Sequence, residues 1–146
     1  MDVNAGLSAP CPPAELFGFV DDLARYPDWL DLITRARPED ASPGTWSIDL
    51  RARLGPLARS KRLRMVRTVH DTTAHRVRFE RRELDDRRHS PWVLEAHVDE
   101  RDDGSELRMH LHYGGKLWTG GVLERALSDQ IEQGRERLLA LTRPTH

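Results

Sequence analysis

Residues 12–32 constrain the fold of this 146-residue chain more than any other stretch, because an amphipathic helical pattern there runs into Tyr26-Pro27-Asp28-Trp29-Leu30 and stops. Leu16, Phe17, Val20, Leu23 and Ala24 recur at helical spacing, Pro12 and Pro13 suit a first turn, and Glu15 suits the positive end of the helix. Pro27 has no N–H with which to continue the ladder, so a second short helical turn is expected to carry Trp29 and Leu30 back toward the body of the protein. A helix pair broken at that point is expected to form a lid.

Beyond it the hydrophobic period changes to two. Trp46, Ile48, Leu50, Ala52 and Leu54 alternate with Thr45, Ser47, Asp49, Arg51 and Arg53, which predicts a strand with one wet face, ended by Gly55-Pro56. The next strand is expected to bury Leu63, Met65 and Val69 and to expose Arg62, Arg64, Thr68 and His70. A turn at residues 71–74 then leads to a strand with Val77 and Phe79 inward and Arg76, Arg78 and Glu80 outward.

Asp103-Gly104 predicts a two-residue hairpin turn. That turn sets Arg101 opposite Glu106, Asp99 opposite Arg108, His97 opposite His110 and Glu95 opposite His112. On the other face it sets Val98 opposite Met109, Ala96 opposite Leu111 and Leu94 opposite Tyr113. A first strand is expected at residues 4–9. From Thr119 the period is helical again, with Val122, Leu123, Ala126, Leu127, Ile131, Leu138 and Leu141 on one face.

A sheet with one apolar face and a helix with one apolar stripe bury each other when one lies across the other. The fold class read from this order is α+β: an antiparallel β-sheet gripping a long C-terminal α-helix, with two short helices after the first strand. Residues 1–146 read as a single domain, long enough to bury roughly 70% of the surface of its unfolded chain.

No apolar run approaches the roughly 18 residues of a membrane span, and the first ten residues lack a basic start followed by an apolar stretch, so a cytoplasmic protein is expected. Cys11 is the sole cysteine, which excludes an internal disulfide and a cysteine zinc cluster; between Pro10 and Pro12 it reads as a junction residue rather than a nucleophile. The basic residues are 21 arginines against two lysines, a bias that points to a GC-rich, bacterial source. Charge is uneven: residues 51–88 carry 13 basic and 5 acidic side chains, whereas residues 1–50 carry 3 and 9.

Pro13-Ala14-Glu15-Leu16-Phe17, Tyr26-Pro27-Asp28-Trp29-Leu30 and the terminal segment from Leu123 to Leu141 occur in an order and spacing that resemble the SRPBCC or START-like superfamily, which includes Bet v 1-like and polyketide cyclase/dehydrase-type members. The resemblance covers nearly the whole chain. It implies a helix-grip fold, a curved antiparallel β-sheet wrapped around the long C-terminal α-helix with an apolar cavity between them, and a small hydrophobic molecule as partner. It implies no single activity, since such folds serve carriers and enzymes alike.

Alternation assigns Trp46, Ile48, Leu50, Leu63, Met65, Val77, Phe79, Trp92, Leu94, Met109, Leu111 and Tyr113 to the cavity, with Leu123, Leu127 and Ile131 from the helix. The same residues also suit an ordinary packed core. Arg67 and Arg81 belong to this inward set, and a buried arginine needs a partner. They receive an anionic ligand group, or they pair with Glu83 or a helix acid such as Asp129, or a bulge turns them outward. Tyr113 suits a ligand oxygen or a proton donor, or a bond to the backbone. Arg67, Arg81 and Tyr113 are therefore the candidate catalytic residues of an enzyme reading.

His97, His110, His112 and Glu95 share the wet face, where solvated histidines are the expectation; no metal site and no cofactor are assigned. Arg51, Arg53, Arg62, Arg64, Arg76, Arg78 and Arg82 share the outer sheet face, a surface for an acidic partner protein, but no aromatic residue interleaves them, which argues against nucleic acid. No Ser, His and acid triad can be assembled on one face. Three readings follow: a binder of a hydrophobic or amphipathic ligand such as a lipid, polyketide or aromatic metabolite; a polyketide cyclase or aromatase-like enzyme; and an interaction module using the basic face.

Overall fold

The computed structural model describes residues 2–54, 57–114 and 121–142, and their side chains except at 52–54, 57–59 and 121–128. Seven strands, β1 (Asp2–Ala9), β2 (Ile33–Pro38), β3 (Thr45–Leu54), β4 (Leu57–Asp71), β5 (Arg76–Arg81), β6 (Trp92–Arg101) and β7 (Gly104–Tyr113), form one antiparallel sheet in the order β1-β7-β6-β5-β4-β3-β2. Helix α1 (Pro13–Gly18) and a 3-10 helix (Leu23–Asp28) follow β1, and α2 (Gly121–Thr142) ends the fold. The sheet curves around α2, the α+β helix-grip arrangement that the alternation and the terminal helical stripe require.

The expected single amphipathic helix is two pieces. Pro12 caps α1 from an extended conformation with Pro13 in its first turn, and Leu16 and Phe17 are buried. Gly18 ends it, because glycine costs about 1 kcal/mol inside a helix. Asp22 then works better as a cap than as an interior residue, and its carboxylate accepts the Ala24 N–H at 2.9 Å. Pro27, expected to break the segment, instead lies inside the 3-10 helix.

Two aromatic side chains satisfy the carbonyls exposed between these pieces. The Tyr26 hydroxyl donates to the Val20 carbonyl at 2.7 Å and the Trp29 indole to the Phe19 carbonyl at 3.2 Å, with the rings 4.8 Å apart. Tyr26 is fully buried, and burial pushes its phenol pKa far up, so it stays neutral.

Three expectations on the sheet need correction. Val69 is 41% exposed rather than buried. Between Arg67, which faces Phe79, and Val69, which faces Arg78, β4 has one extra residue; this bulge turns Val69 outward and brings His70 over Phe17 at 6.0 Å, with its Nε2 2.9 Å from Asp21. The β6–β7 register is displaced by two: Asp99 faces Glu106, His97 faces Arg108, Glu95 faces His110, Leu94 faces Leu111 and Trp92 faces Tyr113. A shift of two keeps every side chain on its expected face.

The central turn residues are thus Asp102-Asp103 rather than Asp103-Gly104. Gly104, at φ +144°, packs onto the end of β1, where a Cβ would collide with the Ala9 carbonyl. Finally, Leu141 of α2 is exposed, while Gly134, Leu138 and Thr142 face inward.

The outer arginines are balanced locally. Arg62 pairs with Asp49 at 2.9 Å, Arg64 with Glu39 at 2.8 Å, Arg78 with Glu95 at 2.8 Å and Arg82 with Glu80 at 3.6 Å. Arg51 and Arg76 are exposed, and the Arg53 side chain lies outside the described residues, as do those of Ala52, Leu54, Val122, Leu123, Ala126 and Leu127. Among the described residues no helix is long and apolar enough to cross a membrane.

Candidate functional site

An apolar cavity of about 70 Å³ lies between β1, the middle of β7, the Trp29–Leu32 segment and α2. The strands contribute Val3, Ala5, Leu7, Leu94, Leu107, Met109 and Leu111; Tyr26, Trp29, Leu30 and Leu32 close one side, and Ile131 and Leu138 face them from α2. The space exists because β1 puts only the Ala5 methyl on its inner face between Val3 and Leu7, opposite Met109. Among the described residues one charged side chain, Arg135, joins the wall; its guanidinium reaches out to Glu132 at 2.9 Å, and its Nε is buried with no partner among those residues.

The cavity therefore draws on four of the residues that alternation assigned to it: Leu94, Met109, Leu111 and Ile131. Trp46, Ile48, Leu50, Leu63, Met65, Val77 and Phe79 are buried in the neighbouring packed core, where Trp46 and Tyr26 both meet the Phe79 ring edge-on at 5.6 and 6.2 Å. Leu123 and Leu127 lie outside the described side chains. The sequence reading missed the β1 wall and the Trp29–Leu32 wall. Ala5 was the available signal: a small residue between two large ones on an inward face marks where a layer leaves room.

Arg67 and Arg81 part company. The Arg67 guanidinium donates to the Asp21 carbonyl at 2.8 Å and lies 5.3 Å from the Trp46 ring centre, tying β4 to the connection between the two short helices. Arg81, with its side chain only 8% exposed, pairs with Glu83 at 3.0 Å and also reaches Ser90 at 3.3 Å. The same Glu83 oxygen accepts the Arg64 backbone N–H at 3.1 Å.

Lys61 joins this second group. Its ammonium lies 3.3 Å from the Ser90 hydroxyl and 5.9 Å from the Trp92 ring centre, and burial, followed by the Arg81 charge, lowers its pKa. Trp92 stacks on Tyr113 with centroids 5.3 Å apart, and both are buried. The Trp92 indole N–H is buried with no acceptor among the described residues.

The histidines do not converge. His110 and His112 both bond Asp2, at 2.8 and 3.1 Å, while His97 pairs with Asp99 and Glu95 with Arg78. Those two imidazoles hold the Asp2 carboxyl below its ordinary pKa. Cys11 is buried, and burial, followed by the Glu15 charge, raises its thiol pKa, which makes it a poor nucleophile.

The fold is shared with solved structures of low sequence identity. A START superfamily protein from Mycobacterium smegmatis superposes with a TM-score of 0.70 at 14% identity, covering 97% of this chain and 96% of that one. The Zhui aromatase/cyclase from a Streptomyces species gives 0.69 at 11% identity, covering 97% and 93%. A Chromobacterium violaceum protein gives 0.71 at 13%, covering 99% and 98%. No curated protein matches the sequence. Residues 3–142 match the family described as polyketide cyclase / dehydrase and lipid transport, and this chain belongs to that family.

Proposed function

We propose that the chain binds a small hydrophobic or amphipathic molecule in the cavity between β1, β7 and α2. The observation that carries this reading is the cavity wall itself, which among the described residues is apolar but for Arg135. Apolar voids of this kind stay dry and gain by taking an apolar guest. The family description, which spans cyclases and lipid transport, supports the same reading.

At about 70 Å³ the space is well below the ~300 Å³ at which ordinary ligand sites begin. A guest therefore enters by moving side chains. Met109, half-buried on an unbranched flexible stem, is the wall residue best suited to swing.

A second reading, a cyclase-like enzyme, is favoured by the buried Arg81 and the half-buried Lys61 near Trp92, on which Tyr113 stacks, and by the likeness to an aromatase/cyclase. Proton transfer needs only one or two placed groups, and folding a chain in a shaped pocket supplies much of such catalysis. In that case Tyr113→Phe abolishes turnover; in a carrier it only shifts affinity.

The test is native mass spectrometry of protein purified without detergent, with Ala5→Leu as the comparison. An added mass released on denaturation from the wild type and absent from Ala5→Leu supports the cavity. Identical binding by a correctly folded Ala5→Leu variant rejects it.

A further inference from the structure

The most unusual chemistry of this molecule lies outside the apolar cavity, at the end of the sheet where β6 begins and β7 finishes. Arg81 pairs with Glu83, whose same oxygen also serves the Arg64 backbone, while Lys61 sits 3.3 Å from the Ser90 hydroxyl that Arg81 also reaches and feels that carboxylate only at longer range. Arg81 is more than nine-tenths buried, a position in which a guanidinium is costly unless its charge is matched. Beside it, Trp92 buries an indole N–H that has no acceptor among the described residues, and an orphaned donor of this kind is destabilising. Excess positive charge, a hydroxyl and a spare N–H all ask for one thing, an anionic oxygen.

Position connects this cluster to the cavity. Leu94 and Leu111 line the cavity, and Trp92 and Tyr113 are the next residues on the same face of the same two strands, about 7 Å further on. An apolar body held against Leu94 and Leu111 thus points one end at the cluster. Resting on the reading of the cavity as a ligand site, we propose that Lys61, Arg81, Ser90 and Trp92 receive the acidic head of an amphiphile, a carboxylate on an apolar chain or ring. Arg135, the other cation near the cavity, is the weaker receptor because Glu132 already neutralises it at 2.9 Å.

The experiment compares decanoate with 1-decanol, which share one alkyl chain, by calorimetric titration of the full chain and of Lys61→Met, Trp92→Phe and Arg135→Met. Wild type prefers decanoate by roughly tenfold or more, as charge-assisted hydrogen bonds would give. Lys61→Met removes most of that preference while decanol affinity stays put; Trp92→Phe, which keeps the ring and loses the N–H, reduces it a few-fold; Arg135→Met leaves it intact. Lys61 is only half-buried, so its replacement folds even if an Arg81 variant does not.

Equal affinity for acid and alcohol in the wild type overturns the receptor and leaves the cavity standing, as does a preference that follows Arg135 instead of Lys61. Failure of both ligands to bind overturns the cavity reading and this inference with it.

Discussion

Gly134 of α2 lies against the Trp29 carbonyl: a Cβ there would stand 3.0 Å from that oxygen and 3.3 Å from the Leu30 side chain. Glycine at this helix position lets the long helix settle onto the segment that walls the cavity. Gly134→Leu is expected to lower stability by about 1–3 kcal/mol through overpacking, despite leucine's better helix propensity. Urea unfolding followed by tryptophan fluorescence measures it, and a midpoint at or above the wild-type value would show that the contact has slack.

Gly104 carries the second close approach, at φ +144° and facing the Ala9 carbonyl. Here the obstacle is backbone, which cannot swing aside, and the dihedral itself disfavours any side chain. Gly104→Ala is expected to cost roughly 2 kcal/mol or more and to loosen β1 from the start of β7. Hydrogen exchange at Leu7 and Ala9 should rise more than exchange at Phe79; uniform change across the sheet would contradict a local effect.

What the sequence made legible follows from what period two and period 3.6 encode. They encode faces, and the faces of β3, β5, β6 and β7 came through with Trp46, Phe79, Val98 and Tyr113 all buried. They do not encode which neighbour a residue meets along the strand, so the β6–β7 pairing slid by two once Gly104 was needed for β1 rather than for the turn. A bulge is invisible to alternation until a residue such as Val69 appears on the wrong side. β2, with only Ile33 buried among its six residues, has no alternation to read. The cavity shares only Leu94, Met109, Leu111 and Ile131 with the expected lining for a related reason: an inward face predicts burial, whereas room depends on one small residue, Ala5, opposite a flexible one, Met109.

Glu83 balances the Arg81 charge beside Lys61, so its removal should separate stability from affinity. Glu83→Gln keeps an oxygen that can accept from Arg81 and from the Arg64 backbone but deletes the charge. Breaking a fully buried ion pair costs about 3–5 kcal/mol. With Glu83 one-fifth exposed and an acceptor retained, about 1–2 kcal/mol is expected here. The same change raises the net positive charge at the cluster, so decanoate should bind more tightly to Glu83→Gln than to the wild type. Weaker decanoate binding by the folded variant would mean that Glu83 organises the cluster and that charge excess is not its working feature.

Glu39 offers a pH test of the outer face. Hydrogen bonds from the Arg64 guanidinium, at 2.8 and 3.1 Å, hold its carboxyl below the ordinary glutamate pKa, and the same pairing raises that of Arg64. For an acid depressed in the folded state, the stabilising contribution is fully present above the unfolded pKa, about 4.3, and disappears as pH falls through the lower folded value. The wild type should therefore lead Glu39→Gln in melting temperature at pH 7, and the gap should close as the pH falls below about 4. Both proteins will lose stability in acid, because Asp2, Asp71, Asp85 and Glu106 are depressed as well, so the difference between the two curves is the informative quantity. Since the pair is near solvent, salt should narrow the neutral-pH gap too; a gap that persists unchanged at pH 3 would assign Glu39 a hydrogen-bonding rather than an ionic part in holding the middle of β4.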